Sequence, residues 1–172
     1  MSRHIFLTGE IQIGKSTALR RFLLQSGMTA DGFMSHIVDT ADGTRTLYLA
    51  RYDSVFGETE SQVAARVTPP DGFTVRTDVF DAFGADIIAR AGNRDLIIMD
   101  ELGRMEEQAE RFKAAVFRKL DSREKRVIGV VKQVQTPFLD AVRARPDVRV
   151  IEVTRNNRDA IPNLLAELLR GE

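Results

Sequence analysis

The stretch Gly9-Glu10-Ile11-Gln12-Ile13-Gly14-Lys15-Ser16 satisfies G-x-x-x-x-G-K-[ST] without a gap, and no other part of the chain constrains its fold as much. It follows a short apolar run, His4-Ile5-Phe6-Leu7-Thr8, that reads as a buried strand. It precedes an amphipathic run, residues 15–25, that reads as a helix with Leu19, Phe22 and Leu23 on one face and Gly27 at its end. Glycines let the backbone wrap so that consecutive N–H groups point inward, and a helix N-terminus adds partial positive charge. Lys15 can then reach the β- and γ-phosphate oxygens of a nucleotide, and Ser16 can offer its hydroxyl to Mg2+. The alternative is a glycine-rich turn that merely caps a helix. The strand–loop–helix context favours a loop that cradles a polyphosphate.

Periodicity along the rest of the chain alternates between strand and helix, which predicts an α/β fold. Residues 31–40 and 41–53 read as two strands of a hairpin turned at Asp42-Gly43. Residues 55–70 have no regular period and end in Pro69-Pro70-Asp71-Gly72, so they read as a loop. Thr77 is placed to cap a helix carrying Val79, Phe80, Phe83, Ile87 and Ile88 on one face. A continuously apolar strand follows at residues 95–101, then a helix over 106–120 with Ala109, Phe112, Val116 and Leu120 aligned. Residues 126–131 read as another buried strand. Thr136 is then an N-cap, Pro137 a first helical residue and Pro146 a stop. A last strand (148–154) and a closing helix (162–170) complete a largely parallel sheet flanked by helices. The pattern predicts a single domain over residues 1–172, with about 42–70 as a hairpin-and-loop insertion.

Asp100 and Glu101 stand where the run Leu96-Ile97-Ile98-Met99 leaves the sheet. A carboxylate at that end of a strand is where a phosphate-loop protein contacts Mg2+, which makes Asp100 and Ser16 the candidate metal ligands. Glu101 is placed to polarise a water against the γ-phosphate as a general base. The plain alternative is a surface acid after a strand. Lys132, past the strand at 126–131, could sense the γ-phosphate. Arg104 could do the same or stabilise transition-state charge; either could instead be solvated or ion-paired. Asn157, within Asn156-Asn157-Arg158, could line a nucleobase pocket or close a turn. His4 and His36 lie far apart in predicted strands and read as structural, so a Ser-His-Asp site has no support.

Composition narrows the function classes. The chain has no cysteine, which excludes thiolate metal sites and thiol nucleophiles. Its longest apolar runs are strand-length, too short to span a bilayer, and the N-terminus has no secretory signature, so a cytoplasmic protein is expected. Net charge is zero, although residues 111–158 carry 13 Lys/Arg against 5 Asp/Glu and residues 31–110 carry 7 against 16. No aromatic residues interleave the basic ones as a nucleic-acid stacking surface needs, so the basic half reads as solvated helix faces that pair with the acidic half.

In order along the chain, FLTGEIQIGKST, DGF (31–33), LIIMDELGRMEE and RARPDVRVIEVTRNNRDAIP resemble the nucleoside-triphosphatase family that includes the human cancer-related enzyme and its archaeal and bacterial relatives. The resemblance runs over nearly the whole chain. It implies a Rossmann-like P-loop fold and slow Mg2+-dependent hydrolysis of ATP, GTP and other nucleoside triphosphates to diphosphate and phosphate. By position, the residues from Gly9 through Thr17 would bind phosphates, with Asp100 on the Mg2+ side and Glu101 as the base. The chain departs from the family pattern in the bulky loop interior Glu10-Ile11-Gln12-Ile13, in Arg104 where lysine is common, and in VVKQVQT where His and Arg are frequent.

Two other functions are compatible with the same residues. A small nucleoside or nucleotide kinase could hold its acceptor under the insertion at 42–70. A nucleotide-dependent switch would hydrolyse little, and would have no need of Glu101. The expected ligands are nucleoside triphosphates with Mg2+, with no membrane partner and no nucleic acid.

Overall fold

The structure, a computed structural model, describes residues 3–170. Its strands are β1 (His4–Thr8), β2 (Ala30–Asp39), β3 (Arg45–Asp53), β4 (Gly57–Thr68), β5 (Gly72–Val75), β6 (Leu96–Leu102), β7 (Arg126–Val131) and β8 (Val148–Glu152). They form one sheet in the order β5-β4-β3-β2-β6-β7-β1-β8. Pairing is parallel from β2 through β6, β7 and β1 to β8. It is antiparallel from β2 outward through β3, β4 and β5. The fold is therefore α/β with a parallel core and an antiparallel extension. The central parallel strands β6 and β7 carry continuous apolar runs, Leu96–Met99 and Val127–Val131, because helices cover both of their faces.

On one face, α1 (Lys15–Ser26) and α6 (Ile161–Arg170) pack Leu19, Phe22, Ile161 and Leu165 over Leu7, Ile98 and Val130. The other face carries α2 (Thr77–Val79), a π-helical turn (Phe80–Gly84), α3 (Ala85–Arg90), α4 (Glu110–Asp121) and α5 (Pro137–Arg143). Phe112 is the pivot of that layer, fully buried, with its ring edge-on to Phe33 at 5.6 Å and to Phe80 at 5.5 Å. Truncating such a ring to Ala costs about 3–5 kcal/mol. His4 belongs to the core as a structural group: its Nδ1 accepts from the Val127 N–H at 3.0 Å, so Nε2–H donates to the Leu120 carbonyl at 2.9 Å. His36 lies on the extension, stacked on Tyr48 at 5.3 Å. Thr136 caps α5 by accepting from the Leu139 N–H at 3.2 Å, with Pro137 first in the helix.

Several expectations need correction. Residues 57–68 are strand β4, not loop. Only Ala64 and Ala65 in it are buried, so it lacks an apolar alternation to read; backbone pairing to β3 and β5 holds it. Thr77 is inside its helix rather than capping it, since Arg76 is the N-cap residue. The helix after β6 begins at Glu110, four residues later than its periodicity implied; turns fill the interval. Ion pairs among the described residues form mostly within each half of the chain, as in Arg51–Asp86, Arg94–Asp53 and Arg145–Asp121, rather than between an acidic and a basic half.

Candidate active site

Parallel pairing puts the carboxyl ends of β1, β6, β7 and β8 on one edge of the sheet, the edge where ligands bind in open α/β folds. The glycine loop leaves β1 there. Gly9 has φ 139°, and a Cβ on it would stand 2.5 Å from the Val153 carbonyl oxygen, so the loop needs glycine to pass the end of β8. Gly14 enters α1 with φ 107°, and no side chain caps the helix. The first helical acceptor bond is Ala18 N–H to Gly14 O, which leaves the N–H groups of Lys15, Ser16 and Thr17 for an anion. The bulk of the loop interior stays out of the way. Ile13 is buried in the core beneath the loop, whereas Ile11 is 86% exposed; Gln12 between them takes φ 60°. Glu10 is also exposed.

Lys15 is buried, and its ammonium donates to the Gly9 carbonyl at 2.8 Å and the Glu10 carbonyl at 2.6 Å. The lysine thus closes over its own loop. Burial holds its pKa below the ordinary lysine value, against the pull of Glu101 and Asp100. The Ser16 hydroxyl donates to Asp100 Oδ1 at 3.0 Å. Asp100 is 2% exposed, and its Oδ2 is buried without a hydrogen-bond partner. Burial pushes this carboxyl up to about 6; the Ser16 bond works the other way, and the neighbouring Glu101 charge adds to the rise. An orphaned carboxylate oxygen beside a serine hydroxyl is an all-oxygen donor set of the kind Mg2+ takes when phosphates and waters complete its shell.

Glu101 is half-buried, and its Oε1 lies 3.2 Å from the Lys132 ammonium. Ser35, on β2, grips the adjoining backbone: its hydroxyl donates to the Asp100 carbonyl at 3.3 Å and accepts from the Glu101 N–H at 3.1 Å. Lys132 is itself tied to β6, its N–H donating to Leu102 O at 3.0 Å. Beyond β6, Glu106 is buried and accepts from the Gly103 N–H at 3.0 Å.

Lys15, Ser16, Asp100, Glu101 and Lys132 are therefore brought together. Arg104 is not: its side chain is exposed and makes no hydrogen bond or ion pair with the described residues. Asn157 closes a turn, accepting from the Thr154 N–H at 2.8 Å and donating to the Glu152 carbonyl at 2.8 Å. Its amide is occupied at both ends by its own loop. Ser35 was not legible in the sequence, because only the β2–β6 register, Met34 opposite Asp100, brings it to the site. Glu106 was visible within DELGRMEE, but read as the start of a helix.

The profile of the NTPase family matches residues 4–166 of the chain. Among similar proteins is a nucleoside-triphosphatase THEP1 of Thermotoga sp. (strain RQ2), 30% identical over 98% of each chain. Another is the cancer-related nucleoside-triphosphatase homolog of Mus musculus, 30% identical over 96% of each. The fold matches the crystal structure of THEP1 from Aquifex aeolicus with a TM-score of 0.76, at 23% identity over 96% of this chain and 98% of that one. It matches the solution structure of a human cancer-related nucleoside triphosphatase with a TM-score of 0.75, at 24% identity over 99% of each. Among the described residues, no helix is long and apolar enough to cross a membrane. With its phosphate loop, its paired carboxylates and a family match over nearly its whole length, the chain belongs to the NTPase family of P-loop nucleoside-triphosphatases.

Proposed function

We propose that the chain hydrolyses Mg2+-bound nucleoside triphosphates, ATP and GTP among them, to diphosphate and phosphate, with water as the acceptor and little selectivity for the base. The observation that carries this reading is the junction of Ser16 with Asp100, whose second oxygen is orphaned, directly beside a carboxylate at Glu101. When bound, Mg2+ would supply positive charge against the charge that develops on the phosphates. Ser16 and Asp100 would hold it.

The chain's own groups do the rest. Backbone N–H groups of the loop and of the start of α1 wrap the phosphates, and Lys15 exchanges its two loop carbonyls for phosphate oxygens. Lys132 exchanges Glu101 for the γ-phosphate in the same way, which frees the Glu101 carboxylate. Glu101 takes a proton from water as the water oxygen bonds to the γ-phosphorus and the bond to the β-phosphate oxygen breaks. Arg104, exposed and without a side-chain partner among the described residues, is available to the departing charge. The engaged amide of Asn157 supports modest base selectivity, because strong discrimination needs polar groups committed to the base.

The test is phosphate release from several Mg-NTPs, with and without added nucleosides and nucleoside monophosphates. Steady release that ignores the added acceptors is the expected result. Release that awaits an acceptor and ends in its phosphorylation would make the chain a kinase.

A further inference from the structure

Glu106 has no part in the chemistry above, yet it is 4% exposed, an unusual place for a carboxyl. A buried acid is costly unless its oxygens find donors. One of those of Glu106 finds backbone: Oε2 accepts from the Gly103 N–H at 3.0 Å. The side chain therefore closes the turn by which the chain leaves β6.

Gly103 connects that turn to the site. A Cβ built on it would lie 3.5 Å from Glu106 Oε2, and 3.4 and 3.7 Å from Cδ and Cε of Lys132. The Lys132 stem thus lies along the Gly103 backbone. Its N–H is fixed to Leu102 O, and its ammonium ends 3.2 Å from Glu101. A half-exposed lysine has many rotamers, and a fixed seat removes most of them before substrate arrives.

We propose that Glu106 is a positioning residue for hydrolysis: by clamping the Gly103 peptide it holds the seat on which Lys132 lies, and so aims the Lys132 ammonium at Glu101 and at the incoming γ-phosphate. This inference rests on the roles given above to Lys132 and Glu101. Glu106 touches neither substrate nor water in it.

Two variants probe the clamp. Glu106→Gln keeps the shape but replaces one acceptor oxygen with a donor. Glu106→Asp keeps the charge but draws it back by one methylene. Each is measured for kcat and KM on MgATP, in the parent and in a Lys132→Met background, with folded protein quantified by urea unfolding. In the parent background kcat should fall by about ten- to a hundredfold, the scale of a misplacement near 1 Å, with KM changed less than about threefold. In the Lys132→Met background the same substitutions should cost less than about threefold, because their route of action is gone. Equal losses in both backgrounds overturn the inference. So does parent kcat per folded molecule in either variant, which would leave Glu106 a purely structural acid. A Lys132→Met enzyme at the parent rate overturns this inference and the role of Lys132 together. A slow Lys132→Met enzyme beside unaffected Glu106 variants overturns this inference alone.

Discussion

The Ser16 hydroxyl donates to Asp100 Oδ1 across 3.0 Å, joining the start of α1 to the end of β6 over 84 residues of sequence. The bond holds together the two oxygens that the proposed function assigns to Mg2+. It also leaves Asp100 half-satisfied, since Oδ2 is buried and bare.

Glu101→Gln retains size and hydrogen bonding and leaves Asp100 intact. Hydrolysis should fall by about 10²–10⁴-fold, the usual worth of a positioned base, while MgNTP binding survives. Asp100→Asn should weaken Mg2+-dependent binding as well as turnover. Parallel titration calorimetry and phosphate-release assays separate the two. A Glu101→Gln protein that works at the parent rate would end the base assignment and return the switch reading.

Lys15→Ala removes the cation that closes over the Gly9 and Glu10 carbonyls. Nucleotide binding should weaken strongly and turnover should be abolished. Unchanged affinity for MgATP or MgGTP by calorimetry would contradict the phosphate-loop assignment.

The Asp100 carboxyl titrates at about 6 in the fold against 3.8 in a free chain. Because the value is raised, its contribution to stability is complete below the free-chain value and is lost as pH rises through about 6. That interval corresponds to about 3 kcal/mol. Asp100→Asn cannot ionise, so the stability of the variant minus that of the parent should grow by up to that amount on going from about pH 4 to about pH 8. Glu106, which burial pushes up to about 7, is present in both proteins and cancels from the difference. Urea unfolding without nucleotide or Mg2+ measures this, and a difference that stays flat with pH would refute it.

Burial holds the His4 imidazole below its free value of 6.5, with the bond to the Leu120 carbonyl opposing. With a lowered pKa, its contribution is present above 6.5 and is lost as pH falls through the folded value. His4→Leu leaves the Val127 N–H and the Leu120 carbonyl unpaired, at a cost of roughly 2–5 kcal/mol near neutral pH. The variant should also lose part of the parent's acid sensitivity. Unfolding free energies across the acid range test both parts.

Purine and pyrimidine triphosphates should have kcat/KM values that differ by far less than about a thousandfold. Asn157→Ala should lower stability by loosening the turn at Thr154, with little change in relative use of the bases. A large change in base preference would place that amide on the nucleobase after all.

Much of this protein could be read from local pattern. The phosphate loop is contiguous, so its chemistry follows from eight consecutive residues and a flanking strand and helix. The central parallel strands β6 and β7 announce themselves because burial on both faces makes their runs Leu96–Met99 and Val127–Val131 apolar throughout. The capping of α5 is equally local, set by Thr136 and Pro137. Strand β4 was hidden because nearly all of its side chains face solvent, so backbone pairing rather than apolar burial defines it. The start of α4 was blurred for a related reason: Glu106 points inward to clamp Gly103, and turns delay the helix to Glu110. The meeting of Ser16 with Asp100, of Ser35 with the Asp100–Glu101 backbone, and of Lys132 with Glu101 was decided only in the tertiary structure. These partners sit on separate elements, and the parallel register of β1, β2, β6 and β7 brings them to one edge. Residue types determined what chemistry the chain could perform, whereas sheet register decided which of those residues stand within reach of one another.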